Sequence, residues 1–444
     1  MMQLTKMTQE TVLNGLLNEE TVRLLSKAKN EPEWLLQRRL GALKQFEELP
    51  MPQLSYGLHV NASLNINLKE LRPGEFITTH TASEAGDASD DAIIEDLSAA
   101  AAKYENILRP VLAGTAVFSN KLDALHSAFW NNGLFVYAKK AKKTRNHPGN
   151  AAKIQLQLAQ KQTDIVNLIV YAEEGANIDI IEFLTSADGN AKSDNEGKND
   201  AVAKTKQYRV EAVDVIAETG ANVRFAAVQK LGGNVQSMIS RRAAIGGGAS
   251  VDWIDINLGG LHTRQEIASM LNGEGATSTI SGAFFGDGSQ QLDLMAKAVH
   301  SERNTTSNIR IKGALKGSAK AIVQSFTKIM KNAANAAGHQ KAHVLLLSES
   351  AKASPIPKLE IDNYDVKASH EASVGQLDKG KLFYLMSRGL SEREAAMLVV
   401  EGFFEPLIKG IQQHNLDDVA EDLRRTINAT MEDVGEELLK HAER

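Results

Sequence analysis

The sequence predicts a mainly β protein, a long parallel β-helix held between helical regions at the two ends of the chain. Three observations predict it. Short β-rich runs bounded by Gly, Asn and Asp fill the middle of the sequence. A small corner motif recurs among them. Helical spacing of apolar residues is confined to the ends.

The first fifty or so residues read as helix. Asn30 is the expected N-cap, with Pro32 in the first turn and Glu33 three residues on. Trp34, Leu35, Leu40 and Leu43 follow at helical spacing, and Leu49-Pro50-Met51-Pro52 ends the run, because proline cannot continue a helix. A mixed segment follows, and its polar stretch Thr81 to Asp91 reads as a mobile loop. From Asp123 the β-rich runs begin: Leu134 to Tyr137, Ile165 to Tyr171, Ile178 to Leu184, Tyr208 to Ala217 and Val223 to Val228. Gly175-Ala176-Asn177-Ile178, Gly220-Ala221-Asn222-Val223, Gly248-Ala249-Ser250-Val251 and Gly275-Ala276-Thr277-Ser278 each precede or open a strand, and the last three begin 28 and 27 residues apart. A tight corner repeated at that period is the mark of a solenoid, in which each rung buries its inward side chains only against its neighbours. The longer first interval holds a polar insert, Asp188 to Asp200, expected on the surface. A propeller would need more strands in each interval. Near Asp378 helical spacing returns through Leu382, Leu385 and Met386, with Gly389 as the C′ residue. Ser391 and Glu394 form a capping box, and Ala395, Leu398, Val399, Phe403 and Leu407 continue the next helix. Leu416, Val419, Leu423, Ile427, Met431, Val434 and Leu438 stripe the last one. The expected divisions are a helical region 1–52, a connecting segment 53–122, the β-helix 123–377 and a helical module 378–444.

Composition narrows the function. Lys and Arg number 50 against 55 Asp and Glu, for a net charge of −5. That argues against bulk nucleic acid or an anionic membrane as the main partner. The chain contains no cysteine, so it cannot form a disulfide or hold a thiolate-ligated zinc or iron–sulfur cluster alone. The first ten residues lack the apolar core of a signal peptide, and no apolar run approaches a membrane span, so the expected compartment is the cytoplasm.

Catalytic signatures are missing. Gly246-Gly247-Gly248 is not followed by the Lys-Ser/Thr of a phosphate loop, and Ser278 stands where a dinucleotide fingerprint beginning at Gly273 wants its third glycine. His339 and His343 are four apart, but on a strand that spacing spans about 13 Å, too far for one metal ion, so they read as ordinary surface histidines. Lys139-Lys140-Ala141-Lys142-Lys143-Thr144-Arg145 has no interleaved aromatic residue for base stacking and reads as a solvated turn. Asp252 and Asp255 fall on opposite faces of a strand, which disfavours the paired carboxylates of a carbohydrate-active β-helix enzyme. The segment Asp365 to Ser373 alternates, so Val366, Ala368, His370 and Ala372 share one face and Lys367, Ser369, Glu371 and Ser373 the other. His370 is then either a satisfied core residue or an interface ligand, since a neutral imidazole suits iron or zinc.

Pro357-Lys358-Leu359-Glu360-Ile361, Asp365-Val366-Lys367, Ser369-His370, Gln376-Leu377-Asp378, Leu382-Phe383-Tyr384-Leu385, Ser387-Arg388-Gly389-Leu390 and Gly402-Phe403 together resemble the SufB/SufD family of iron–sulfur cluster assembly proteins. Glu31-Pro32-Glu33-Trp34 with Arg38-Arg39 and Phe46 is similar to the family's N-terminal helix, and Asp123 to Val136 to the start of its β-helix. The resemblance covers most of the chain and is weak through Asn61 to Lys103. It implies a right-handed parallel β-helix and a non-enzymatic scaffold subunit that pairs with SufB and binds the ATPase SufC. SufC docking is expected around Asp378 to Gly410, with Phe383, Tyr384, Arg388 and Glu394 as contact residues. A transient cluster is expected at the SufB–SufD interface, with His370 as this chain's metal ligand. The lack of cysteine excludes a normal SufB role, and the order Asp365-Val366-Lys367 then His370 is like SufD. Two positions depart from SufD: Ala368 stands where relatives commonly carry cysteine, and Glu371 where they carry glycine, so that His370-Glu371-Ala372-Ser373 is closer to the SufB pattern. Ala368 takes away a second ligand, and alternation points Glu371 to the opposite face from His370. The competing functions are a carbohydrate-active β-helix enzyme and a purely structural homodimer. An isolated chain is also compatible with self-pairing, because the family's interface joins equivalent ends.

Overall fold

The computed structural model describes residues 17–51, 56–57, 60–61, 81–84, 92–114, 120–140, 152–160, 163–186, 206–412 and 416–431. It is mainly β. In two nine-stranded sheets the strands from Asn132 onward alternate, each pairing in parallel with the next but one, while Thr81–Glu84 and Ala92–Asp96 add antiparallel at the first edge of their sheets. This is a two-sheet solenoid. Register partners on successive rungs are separated by intervals such as 27 residues for Val251 and Ser278 and 31 for Thr306 and Ala337.

The corner motif continues beyond the four copies legible as Gly-Ala. Gly175, Gly220, Gly248 and Gly275 have φ of 61° to 72°, and Asn304 and Asn335 take the same corner at 61° and 58°. Asparagine is the non-glycine residue that best tolerates this left-handed region. Each corner N–H donates to a carbonyl of the following rung: Gly220 to Gly247, Gly248 to Glu274, Gly275 to Arg303, Asn304 to Ala334 and Asn335 to Asp365. The corners therefore stack as a ladder of their own. The glycine runs at 246–248 and 273–275 are these corners, not nucleotide loops.

The inside of the solenoid is a continuous apolar core that runs from Leu134 through Phe225, Trp253 and Phe284 to Val344. The outer faces of the sheets are also covered. Helices Glu33–Glu48 and Lys121–Phe129 pack on one sheet through Leu35, Leu43, Phe46 and Leu125 against Ile165, Ile169 and Val210. Helices Glu392–Gln412 and Asp417–Met431 pack on the other through Phe404, Ile408 and Leu423 against Val228, Ile254 and Phe285. Burial on both faces explains strands without apolar–polar alternation, such as Ser250–Asn257.

Several expectations need correction. Asn30 is not an N-cap: with φ of 52° it ends the preceding helix Glu19–Ala28, and Pro32 occupies the N-cap of Glu33–Glu48. Thr81–Glu84 is not loop but a short strand paired antiparallel with Ala152–Gln160, while the rest of that stretch lies outside the described residues. In Glu392–Gln412 the buried stripe is Ala395, Ala396, Val400, Phe404, Leu407, Ile408 and Ile411, and Leu398 faces out. The uninterrupted run Met397 to Val400 left the phase of that helix open. The capping box is present: Ser391 N donates to Glu394 Oε2 at 2.8 Å, and Glu394 N donates to Ser391 Oγ at 3.3 Å. Leu416, Val419, Leu423, Ile427 and Met431 are all buried as expected, whereas Val434 and Leu438 lie outside the described residues, as does the insert 188–200. Among the described residues no helix is long and apolar enough to cross a membrane.

Candidate functional site at the open end of the solenoid

The last rung consists of strands Lys352–Ile361 and Val366–Gln376, each the outermost member of its sheet. The turn between them is held locally. Asn363 Oδ1 accepts from Asp365 N at 2.8 Å, and its Nδ2 donates to the Lys331 carbonyl at 2.7 Å. Asp378 then caps the helix Lys379–Ser387, accepting from Gly380 N and Lys381 N at 2.9 and 3.1 Å.

Register settles the two faces of the final strand. His370 is the partner of Gln340, Ala368 of Gly338 and Ala372 of Ala342, and all three partners are buried inside the solenoid. His370 therefore lies on the inward row, yet it is exposed, because among the described residues no further rung stacks on it. Glu371 is on the outer face, as alternation predicts. Its carboxylate sits 3.0 Å from Lys341 Nζ and 3.4 Å from His343 Nε2, and the hydrogen bond from Lys341 holds it below the usual carboxylate range. His339 and His343 share that outer face and reach the neighbouring strand, with Nδ1 at 2.8 Å from Ser369 Oγ and 2.6 Å from Ser373 Oγ. These histidines have local partners, whereas His370 has no hydrogen bond among the described residues. Lys140, at the start of the basic run, pairs with Glu174 at 3.0 Å, and residues 141–150 lie outside the described residues.

The rim of this end is apolar. Met330, Ile361, Tyr364 and Val374 are exposed, and Tyr364 stands fully free in the last turn. Sequence spacing missed this patch, because an exposed apolar residue on a terminal rung looks like core until the end of the stack is known. The helix Lys379–Ser387 adds a second apolar surface: Leu382 is buried, but Phe383 is 74% and Tyr384 57% exposed. The Arg388 guanidinium lies 5.2 Å from the Tyr384 ring centroid. Glu394 is held below the usual carboxylate range by Ser391, whose hydroxyl and N–H both donate to it, so its charge serves the helix cap.

What this end can hold follows from its donors. Among the described residues no three His, Cys, Asp or Glu side chains are grouped as a metal site, and the chain has no cysteine. The exposed imidazole of His370 offers a single nitrogen donor there.

Sequence reasoning also missed a polar group inside the solenoid. Arg241 reaches Asp255 at 2.6 Å, Glu182 at 2.8 Å and Glu211 at 3.0 Å, while Arg209 holds the other Glu211 oxygen at 2.5 Å. Asp255 is thus committed to an internal ion pair, on the face of its strand opposite Asp252. Strand alternation was the available signal: Glu182, Arg209, Glu211, Arg241 and Asp255 all fall on inward rows.

The family model for the SUF system FeS cluster assembly, SufBD core domain, matches residues 155–403. An iron–sulfur cluster assembly SufBD family protein of Staphylococcus haemolyticus is 29% identical over 94% of this chain and 93% of its own length. Proteins of the same description from Staphylococcus saprophyticus and Staphylococcus epidermidis are 28% and 29% identical over the same shares. The chain is a member of the SufBD family of iron–sulfur cluster assembly proteins.

Proposed function

We propose that this protein is the SufD-like scaffold subunit of a cytoplasmic SUF assembly complex and catalyses no reaction itself. It pairs with a SufB-like subunit through the open solenoid end, and the nascent cluster, the cargo of the complex, forms at that junction. The observation that carries the reading is the position of His370: on the inward row of the final strand, exposed, and without a hydrogen bond among the described residues. The apolar rim of Met330, Ile361, Tyr364 and Val374 supports docking there. In the absence of the SufB-like partner the same end suits a second copy of this chain. The surface of Phe383, Tyr384 and Arg388 supports docking of a SufC-like ATPase, whose motion would pass to the solenoid through the helix Glu392–Gln412 packed on its side.

The chemistry asked of His370 is modest. A neutral imidazole supplies one nitrogen lone pair, and a SufB-like thiolate supplies charge and softness. The test is anaerobic cluster reconstitution of the co-expressed complex, comparing wild type with His370→Ala by visible absorption. Loss of iron and sulfide from an intact complex supports the ligand role. Normal cluster assembly in the variant overturns it and leaves this chain a support by shape alone.

A further inference from the structure

Gln340 is the register partner of His370 on the adjacent strand and is only 1% exposed. Its Nε2 donates to Thr327 Oγ1 at 2.7 Å and to the Lys358 carbonyl at 3.0 Å. A backbone carbonyl can only accept, so the amide cannot be turned over without placing two acceptors face to face. The tethers therefore fix which way the amide points. Its Oε1 is buried and accepts no hydrogen bond. A buried acceptor left unmatched costs on the order of 1–3 kcal/mol, so a donor is wanted at this place.

Two donors remain in the surrounding rows: the Ser325 hydroxyl on the facing sheet, itself buried and without a partner, and the ring of His370, which is in register with Gln340 on the adjoining strand. On the far side of Gln340 in the same row is Ile309, which has nothing to donate. Thr327 and Lys358 are engaged at the Nε2 end. Gly338, two residues before Gln340 on the inward row, has no side chain, and a Cβ there would lie 2.8 Å from Thr327 Cγ2. The bare position lets Thr327 sit beneath the amide. The remaining inward neighbour on the same sheet is His370, one strand away.

We propose that Gln340 is the positioning residue of His370. The bond is not made in the structure; a turn of the His370 ring brings one N–H to Oε1, which fixes a single neutral tautomer and leaves the lone pair of the other nitrogen free for a metal. Metal-binding histidines are commonly oriented through such an N–H···O contact. The inference rests on the ligand reading of His370 and adds its preorganisation: the imidazole is aimed before iron arrives, by an amide tethered to Thr327 and to the strand opposite.

The test uses two readouts. In the full-length chain labelled with ¹⁵N-histidine, long-range proton–nitrogen correlation at mildly alkaline pH reports the tautomer of His370, identified by its loss in His370→Ala. Wild type is expected to show one tautomer and Gln340→Leu a mixture. The second readout is iron retention by the complex reconstituted with the SufB-like and SufC-like subunits, where Gln340→Leu is expected to bind roughly 10- to 100-fold more weakly. Equal tautomer populations in wild type and Gln340→Leu overturn the inference. Should Gln340→Leu fail to fold, Thr327→Val loosens one tether of the amide. Mixed tautomers in that variant support the inference, and an unchanged single tautomer overturns it. Iron retained by His370→Ala sinks the ligand reading instead, while the tautomer measurement still decides the role of Gln340.

Discussion

Arg241 Nη1 donates to Asp255 Oδ1 at 2.6 Å across the inside of the solenoid, bridging the two sheets where an all-aliphatic core would be expected. Its other terminal nitrogen serves Glu182 and Glu211. Ala227 lies between Glu182 and Asp255 on the intervening strand and leaves room for the guanidinium. Removing that cation would leave buried carboxylates facing one another with Arg209 alone to compensate them. Arg241→Met is expected to lose about 3–5 kcal/mol in urea unfolding. A loss under ~1 kcal/mol would mean that these carboxyls are neutral in the folded state.

Glu182 offers a gentler probe of the same group. Burial, and then the nearby Glu211, push its carboxyl up from 4.5 to about 7, against the pull of Arg241. The folded state therefore holds this proton to higher pH than the unfolded chain does. Its contribution to stability falls as pH rises from about 4.5 to about 7. Glu182→Gln, which resembles the protonated acid, is expected to remove that slope and to be at least as stable as wild type at neutral pH. Denaturant midpoints measured at pH values across this window check it.

Two buried histidines work in the opposite direction. His126 donates from Nε2 to the Val166 carbonyl at 2.7 Å, and His300 is held between the Thr305 and Ser307 hydroxyls at 2.8 Å each. Burial lowers both from 6.5 to about 4. The unfolded chain binds more protons between those values, so stability is lost as pH falls from about 6.5 toward 4. Each histidine contributes on the order of 3 kcal/mol to this loss. His300→Gln is expected to flatten the acid side of the stability curve. An unchanged acid slope would mean that His300 is solvated in the folded protein.

The sequence made the solenoid legible because its corners demand an unusual backbone. Gly220, Gly248 and Gly275 marked the period, and the ladder of their N–H groups is the physical reason that it repeats. The period was lost where Asn304 and Asn335 took over the corner, since asparagine is also common in ordinary turns. His370 could be placed on its face by alternation alone. That no further rung stacks on it among the described residues could not be, because where a stack ends depends on which strands pair. Gln340 was hidden for the same reason: thirty residues separate it from His370, and only the register makes them neighbours.

The asparagine corners can be tested directly. At Asn335, φ of 58° disfavours a Cβ-bearing residue, and the side chain also bonds Asn304 Oδ1 at 2.7 Å. Asn335→Ala is expected to cost about 1–2 kcal/mol, while Asn335→Gly, free of the Cβ penalty, should cost less than half as much. The ordering of the two variants in thermal melts is the measurement. Alanine tolerated better than glycine would show that this corner relaxes out of the left-handed region.

The helix Lys379–Ser387 separates binding from stability. Phe383 and Tyr384 expose most of their rings, so Phe383→Ala and Tyr384→Ala remove little buried area and should leave the melting temperature within a degree or two of wild type, on the order of 0.5 kcal/mol or less. If the surface docks a SufC-like ATPase, the same changes delete aromatic anchors, and each should weaken the complex by at least tenfold, or about 1.4 kcal/mol. Arg388→Glu should act similarly, because the cation leans on the Tyr384 ring and presents its charge outward. Glu394 is the poorer probe: reversing its charge also breaks the cap with Ser391, at about 1 kcal/mol of helix stability. Pull-down of the SufC-like subunit by each variant, alongside its melting temperature, separates the two effects. Wild-type capture by the Phe383→Ala, Tyr384→Ala double variant would remove this helix from the docking surface and move the search to the exposed Leu398 on the next one.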